Sequence, residues 1–168
     1  MNEFVDVPFV DEVEQFNAAM NKPNNYSPVI PDEKEWKFVV DFIREETAEL
    51  EQACRERNIV EVLDALIDIL YVSFGNGTML FGLKDKVLKA FDEVQSSNLS
   101  KLCTTEEDAK NTVEVRSKEQ KEPCHYEKLG ENRYVVYRTR DRKVMKSVAN
   151  YHRPDLRQFF TKEELQKV

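Results

Sequence analysis

Residues 59–72 read IVEVLDALIDILYV, and eleven of these fourteen positions are apolar or aromatic. That density predicts a helix buried nearly all round. The three exceptions are acids: Glu61, Asp64 and Asp68. They stand at i, i+3 and i+7, so at ~100° per residue they fall within a stripe of about 60°. Like charges stacked on an apolar helix repel one another and lose hydration. The arrangement becomes favourable when something positive fills the space between them.

The stretch just upstream, REETAEL at 44–50, offers a partner set in Glu45, Glu46 and Glu49, with Glu46 and Glu49 sharing a face at i, i+3. Asn58 is the expected break between the two helices, short enough to make them an antiparallel hairpin. Counted from that break, Glu49 is nearly level with Glu61 and Glu46 with Asp64, so the two acid stripes can face each other. Clustered oxygen ligands without His or Cys suit a hard cation, Mg²⁺ or Mn²⁺, which keeps positions open for water and substrate phosphates. The competing reading makes the acids ordinary surface groups paired with Arg44, Arg55, Arg57 or lysines of the tail.

Working outward, Val10, Val13, Phe16 and Met20 predict a short amphipathic helix over 10–20. The connection NKPNNYSPVIP at 21–31 holds three prolines and three asparagines and is irregular. Asp32 as N-cap with Glu35 three positions on opens the second helix, which runs to about residue 57. Gly82 is the expected stop of the third helix. A fourth covers KDKVLKAFDEVQ, followed by SSNLSKL. Residues 103–122 are highly charged and predict a linker. In the tail, NRYVVYRT and KVMKSV flank Asp141-Arg142 and predict a β-hairpin, and Thr161 with Glu164 predicts a capping box on a final short helix. The domain organisation is therefore a helical core at 1–102, a charged linker at 103–122, and a hairpin with a short helix at 123–168.

Several classes are excluded or disfavoured by composition. The net charge of −7 argues against a nucleic-acid binder, although residues 133–157 stand at +6 and leave −13 for the rest. No apolar run reaches the ~20 residues of a membrane span. The acidic N-terminus does not read as a signal peptide. Cys54, Cys103 and Cys124 lack CxxC spacing and suit a reducing compartment, so the expected location is cytoplasmic. Cys54 is expected to be a small buried residue, and Gly75 and Gly77 to allow close helix contact rather than to bind a dinucleotide.

The combination EETAEL, EVLDALIDILYV, FGNGTMLFG and FDEVQSSNLSKL resembles the all-α NTP pyrophosphohydrolase superfamily, which includes MazG-like enzymes, phosphoribosyl-ATP pyrophosphohydrolases and dimeric dUTPases. The likeness covers about residues 10–102. It implies an all-α core, a MazG-like bundle of four-helix type, here carrying a small C-terminal β-hairpin extension. Glu46 and Glu49 match the family's ExxE pair, Glu45 the acid that often precedes it, and Asp68, heading DILY, the final Asp of ExxD. Ala65 stands where many members have Glu, while Glu61-x-x-Asp64 reads as a second ExxD, so the ligand set is open among Glu61, Asp64 and Asp68.

The resemblance implies Mg²⁺-assisted attack of water at the α-phosphorus of a nucleoside triphosphate, pyrophosphate leaving. It makes Glu46 and Glu49 metal ligands and Glu45 a ligand or water-positioning group. It places Asn98 and Lys101 at substrate-binding positions, with Asn17, beside Gln15, as a candidate to read the base. A homodimer or homotetramer is expected, with no nucleic-acid or membrane partner. Two alternatives stand beside this reading. One is a catalytically silent, Mg²⁺-dependent nucleotide-binding or regulatory homologue, which the Ala65 departure suggests. The other is a phosphoribosyl-ATP pyrophosphohydrolase, set second because the tail and the DALIDILYV run look more MazG-like. The basic residues Arg138, Arg140, Lys143 and Lys146 either neutralise a triphosphate or form a solvated edge.

Overall fold

The computed structural model describes residues 9–167. The acidic segment read for a leader lies, through residue 8, outside the described residues. The chain is mostly helical with a two-stranded antiparallel hairpin toward its C-terminus. The described residues divide into two compact units, 9–87 with 160–167, and 88–159. Among the described residues no helix is long and apolar enough to cross a membrane.

In the first unit, α1 (Phe9–Ala19) buries Val10, Val13 and Asn17. Phe16 and Met20, expected on its buried face, are exposed. Helix α2 (Glu33–Glu56) begins as expected: Asp32 Oδ1 accepts from the Glu35 amide at 2.9 Å, satisfying one of the free first-turn donors. It ends on Arg57, in the left-handed region at φ 56°. Asn58 then caps α3 (Ile59–Leu70) by accepting from the Val60 and Glu61 amides at 3.2 and 3.4 Å. That tight reversal sets α2 and α3 side by side as an antiparallel pair.

Helix α3 departs from expectation in one respect. Only Ala65 is fully buried, while Ile59, Val60, Leu63, Leu66, Ile67 and Leu70 are each more than 40% exposed. One neighbour, α2, covers one stripe of a helix, and the remaining apolar positions of α3 face outward.

Helix α3 runs on through a π-helical turn, Tyr71–Asn76, into α4 (Gly77–Leu80). Such turns are inserted into α-helices mostly at functional positions. Here α1 packs on it: Phe9 meets Phe74 at 5.5 Å between ring centroids and Phe16 meets Tyr71 edge-on at 5.9 Å. A Cβ on Gly75 would stand 2.5 Å from Val13 Cγ2, so Gly75 does permit a close approach, whereas Gly77 has ordinary room. Since Val13 is itself 1% exposed and cannot retreat, Gly75→Val is expected to destabilise the protein by at least about 2 kcal/mol, read as a lower urea midpoint at unchanged slope. Gly82 ends the segment at φ +66°, against the Ser27 carbonyl. The core of this unit gathers Val39, Val72 and Leu80 with Ile43 and Phe81. Lys84 holds α1 through Asp11 at 2.6 Å and through Glu14. After residue 160 the chain returns to this unit with α7 (Lys162–Lys167). Its capping box forms as expected, the Glu164 amide donating to Thr161 Oγ1 at 3.1 Å and the Thr161 amide to Glu164 Oε2 at 2.7 Å.

The second unit takes in most of α5 (Val87–Leu99). The stretch expected as a linker at 103–122 is instead largely helix, α6 (Glu106–Gln120). Thr105 caps it, its Oγ1 accepting from the Asp108 amide at 3.1 Å. Its buried side is made of small residues, Ala109 and Thr112, beside the half-buried Val113, and it packs on both strands of the hairpin. The hairpin pairs β1 (Cys124–Gly130) with β2 (Arg133–Arg138). Residues 133–138 therefore pair along their length with the preceding strand, and meet KVMKSV as expected only near their end, where the Arg138 amide donates to the Lys143 carbonyl at 2.9 Å and the Met145 amide to the Val136 carbonyl at 2.8 Å. The latter segment makes an isolated bridge, Tyr137 to Val144, and is held by side chains: Ser147 Oγ donates to Asp108 Oδ2 at 2.8 Å and the Val148 amide to Thr112 Oγ1 at 3.0 Å. Cys103, Tyr134, Val136 and Met145 form the core here. Cys54 is exposed, contrary to expectation, and Cys103 is the buried one.

Candidate functional site

Along α2, Glu35, Phe38 and Phe42 follow at helical spacing, and Glu46 and Glu49 continue the same face one and two turns on. Along the α3–α4 helix, Asp64, Asp68, Val72, Asn76 and Leu80 recur every four residues. The hairpin thus presents two continuous faces to one groove. Its end nearer the Asn58 reversal carries acids, and the other end carries apolar and amide groups.

At the acidic end, Glu46 is buried although its carboxyl has no hydrogen-bonded partner among the described residues. Loss of hydration pushes its pKa up, and the charges of Glu49, Asp68, Glu45 and Asp64, in that order, push it the same way. Both helices therefore aim acids at one place. Glu45, Glu49 and Asp64 are exposed and Asp68 is half-buried. Glu61 is exposed and is not among the charges that act on Glu46. The desolvation expected on the α3 stripe thus falls on α2, at Glu46.

No ion pair among the described residues includes any of these six acids. Of the arginines that would have neutralised them, Arg44 pairs with Asp41 at 2.8 Å and Arg55 with Glu51, while Arg57 makes no ion pair among the described residues. An all-carboxylate set without a cationic partner is the donor chemistry of a hard divalent ion. Among the described residues, however, no three acid, His or Cys side chains converge closely enough to hold an ion as they stand.

At the other end lies a cavity of about 530 Å³, within the range of small-molecule sites. Phe38, Phe42, Val39, Val72 and Leu80 give it apolar walls, and Asn17 and Asn76 bring side-chain amides to it. Both amide oxygens are buried without a partner, and such acceptors are rare in folded chains. Asn17, proposed from sequence, is thus 3% exposed and lines the cavity, whereas Gln15 is exposed. Asn76 went unnoticed in the sequence, although it lies eight residues, two helical turns, past Asp68. The loop above is fastened by Asn25, whose Nδ2 donates to the Leu80 carbonyl at 2.6 Å and whose amide donates to Met79 at 2.9 Å.

Asn98 and Lys101 belong to the second unit, where Lys101 Nζ donates to Asn98 Oδ1 at 2.7 Å. Of the basic tail residues, Arg138 pairs with Asp141 and Arg140 with Glu122 at 3.0 Å. Asp141 holds Arg138 protonated, and the guanidinium pulls the Asp141 carboxyl far below its usual range. Much of that positive charge is spent within the tail itself.

Residues 13–98 match the family model described as phosphoribosyl-ATP pyrophosphohydrolase. Over 75 residues the chain is 41% identical to uncharacterized protein L479 of Acanthamoeba polyphaga mimivirus, a stretch covering 42% of this chain and 30% of that protein. The chain therefore spans less than a third of the length of that relative. The matched family segment contains both the carboxylate groove and the cavity.

Proposed function

Because the chain belongs to the phosphoribosyl-ATP pyrophosphohydrolase family, within the MazG-like superfamily of nucleotide pyrophosphohydrolases, we propose that it hydrolyses a nucleoside triphosphate to the monophosphate and pyrophosphate. What carries the reading is Glu46, a residue 9% exposed whose carboxylate loses hydration beside four others with no cation paired to it. Magnesium bound there would neutralise the acids, polarise the phosphates and lower the pKa of an attacking water. Glu46, Glu49, Asp64 and Asp68 are the ligands we assign, with Glu61 peripheral. Two of these four ligands, Glu49 and Asp64, are exposed, and exposed side chains change rotamer within nanoseconds, so gathering them about an ion needs little rearrangement.

Glu45, exposed beside the groove, is assigned to accept the proton of the attacking water. The base is assigned to the apolar cavity, with Asn17 as its reader. Asn76 stands roughly 12 Å along the helix from Asp68, a span that suits a nucleotide reaching from base to phosphates. A second copy of the chain is the occupant we assign to the bare apolar face of α3, giving a homodimer or a tetramer built from dimers.

The test is pyrophosphate release with Mg²⁺ over all common NTPs and dNTPs and phosphoribosyl-ATP, with Glu49→Ala as control. Release from at least one substrate, lost in the variant and on chelation, is the expected result. Phosphoribosyl-ATP as sole substrate would select the alternative activity within the same chemistry. Tight Mg²⁺-dependent nucleotide binding with no turnover would instead select the silent homologue.

A further inference from the structure

The cavity's hydrogen-bonding polarity is fixed from outside it. The Glu14 backbone carbonyl can only accept, so Asn24 presents its Nδ2 there, at 3.1 Å. Asn24 Oδ1 therefore faces Asn17 and must receive a donor, which Asn17 Nδ2 supplies, also at 3.1 Å. The free end of the Asn17 amide is then its oxygen. That atom is buried and unpartnered in a side chain that is 97% buried, and the oxygen of Asn76, lining the same cavity, is in the same condition. Acceptors without donors leave a deficit that a ligand's N–H would make good, since a buried polar group without a partner is costly.

Resting on the base assignment made above, we propose that Asn24 is a positioning residue that locks Asn17 as an acceptor, and that the cavity thereby selects bases bearing an exocyclic amino group over imide bases. An amino-substituted ring brings two N–H bonds on one nitrogen. A uracil-type edge brings a single N–H between two carbonyl oxygens, which would meet the Asn17 oxygen acceptor to acceptor. The apolar walls, Phe38, Phe42 and Val72, add no competing hydrogen bond, while Lys22, Lys34, Asp32 and Glu35 also line the cavity. Discrimination of this kind is large when the site's own polar groups would be left unpaired by the wrong ligand.

The experiment uses matched 5′-monophosphates that exchange an amino group for a carbonyl, CMP against UMP and AMP against IMP, titrated calorimetrically into the full chain without divalent cation. At least tenfold tighter binding of the amino member is expected in the pair whose ring size the cavity accepts. Asn24→Ala frees the Asn17 amide to rotate and should bring the ratio within about twofold. Asn24→Asp still presents an acceptor to Asn17 and should keep the preference. A merely structural role for Asn24 would weaken both members equally and leave the ratio intact, which overturns the lock. If Asn24→Ala does not give a cooperative melt, Asn17→Leu, which removes the acceptor, must abolish the ratio in its place. Equal or inverted binding in both pairs, or no binding, overturns the selectivity.

The outcome separates from that of the hydrolysis assay. Pyrophosphate released chiefly from dUTP would leave the activity standing and sink the selectivity. A CMP or AMP preference with no turnover of any triphosphate would do the reverse.

Discussion

Replacing Glu46 by glutamine is expected to abolish Mg²⁺-dependent pyrophosphate release while making the metal-free protein more stable. The two effects have one cause. Glu46 is buried, its pKa is raised by lost hydration and by Glu49, Asp68, Glu45 and Asp64, and no cation offsets the charge. Glutamine keeps the shape and removes the charge. A group whose folded-state pKa lies above its unfolded value favours folding when protonated, and that advantage fades as pH rises through the unfolded and then the folded pKa. Wild-type and variant should therefore melt together at pH 4 and below. They should separate as pH rises toward 7, the variant melting roughly 2–5 °C higher. Because most of the surrounding acids are exposed, the gap should narrow in high salt. Added Mg²⁺ should raise the melting temperature of the wild-type and leave the variant nearly unmoved. Turnover should fall by about 10²–10⁴-fold, the range for losing a group that acts in the chemical step. A variant that is destabilised at pH 7, or that retains activity, would mean Glu46 is neither strained nor central.

This contrast of charge against burial was legible in the sequence only in part. The helix ends were plain: the Asp32 cap, the break at Asn58, the Gly82 stop and the Thr161–Glu164 box all sit where local chemistry puts them, because such signals depend on residues a few positions apart. That acids of α2 and α3 lie near one another was also readable from the short reversal at Asn58, but their register was not: Glu46 was set level with Asp64, and Asp68 acts on it more strongly. The identity of the buried acid was not readable either. That depends on which side of α2 lies against α3, and Glu45 and Glu46 are neighbours in sequence with opposite environments.

Helix α6 was missed because hydrophobic periodicity was the criterion and its inner face is built of Ala109 and Thr112, residues too small or polar to mark a stripe. The Thr105-x-x-Asp108 cap and the acids of its first turn were the available signal. The pairing of residues 133–138 was read only in part, since they do meet KVMKSV at the Tyr137–Val144 bridge but their ladder runs to β1. KVMKSV alternates like a strand, but Ser147 and Val148 are tied to α6 by Asp108 and Thr112 instead of by a ladder. Asn17 was suggested from its place on α1, yet its orientation depends on Asn24 in a loop that periodicity does not reach.

The double substitution Leu63→Lys with Leu66→Lys is expected to convert the protein from an oligomer to a single chain. Leu63 is 61% and Leu66 48% exposed on α3, with Ile59, Val60, Ile67 and Leu70 beside them. At about 25 cal/mol per Å² of apolar surface removed from water, a face of this kind gains several kcal/mol when covered, and contiguous apolar patches are rare on chains that stay single. Two lysines on that face would each need desolvation to be covered by a second copy, and they would oppose their own symmetry mates across a two-fold interface. In light scattering after size exclusion, the unsubstituted chain of 19.8 kDa should run at two or four times that mass and the variant at one.

Neither lysine replaces a buried residue, so the variant should keep its helical circular dichroism. Its effect on turnover is informative in its own right. Leu63 and Leu66 flank Asp64 on the same helix, so a catalytic groove completed by a second copy loses activity on dissociation, whereas one completed within a single chain does not. An unsubstituted chain that already runs at 19.8 kDa at tens of micromolar would remove the second copy from the reading and leave the apolar face of α3 to some other cover.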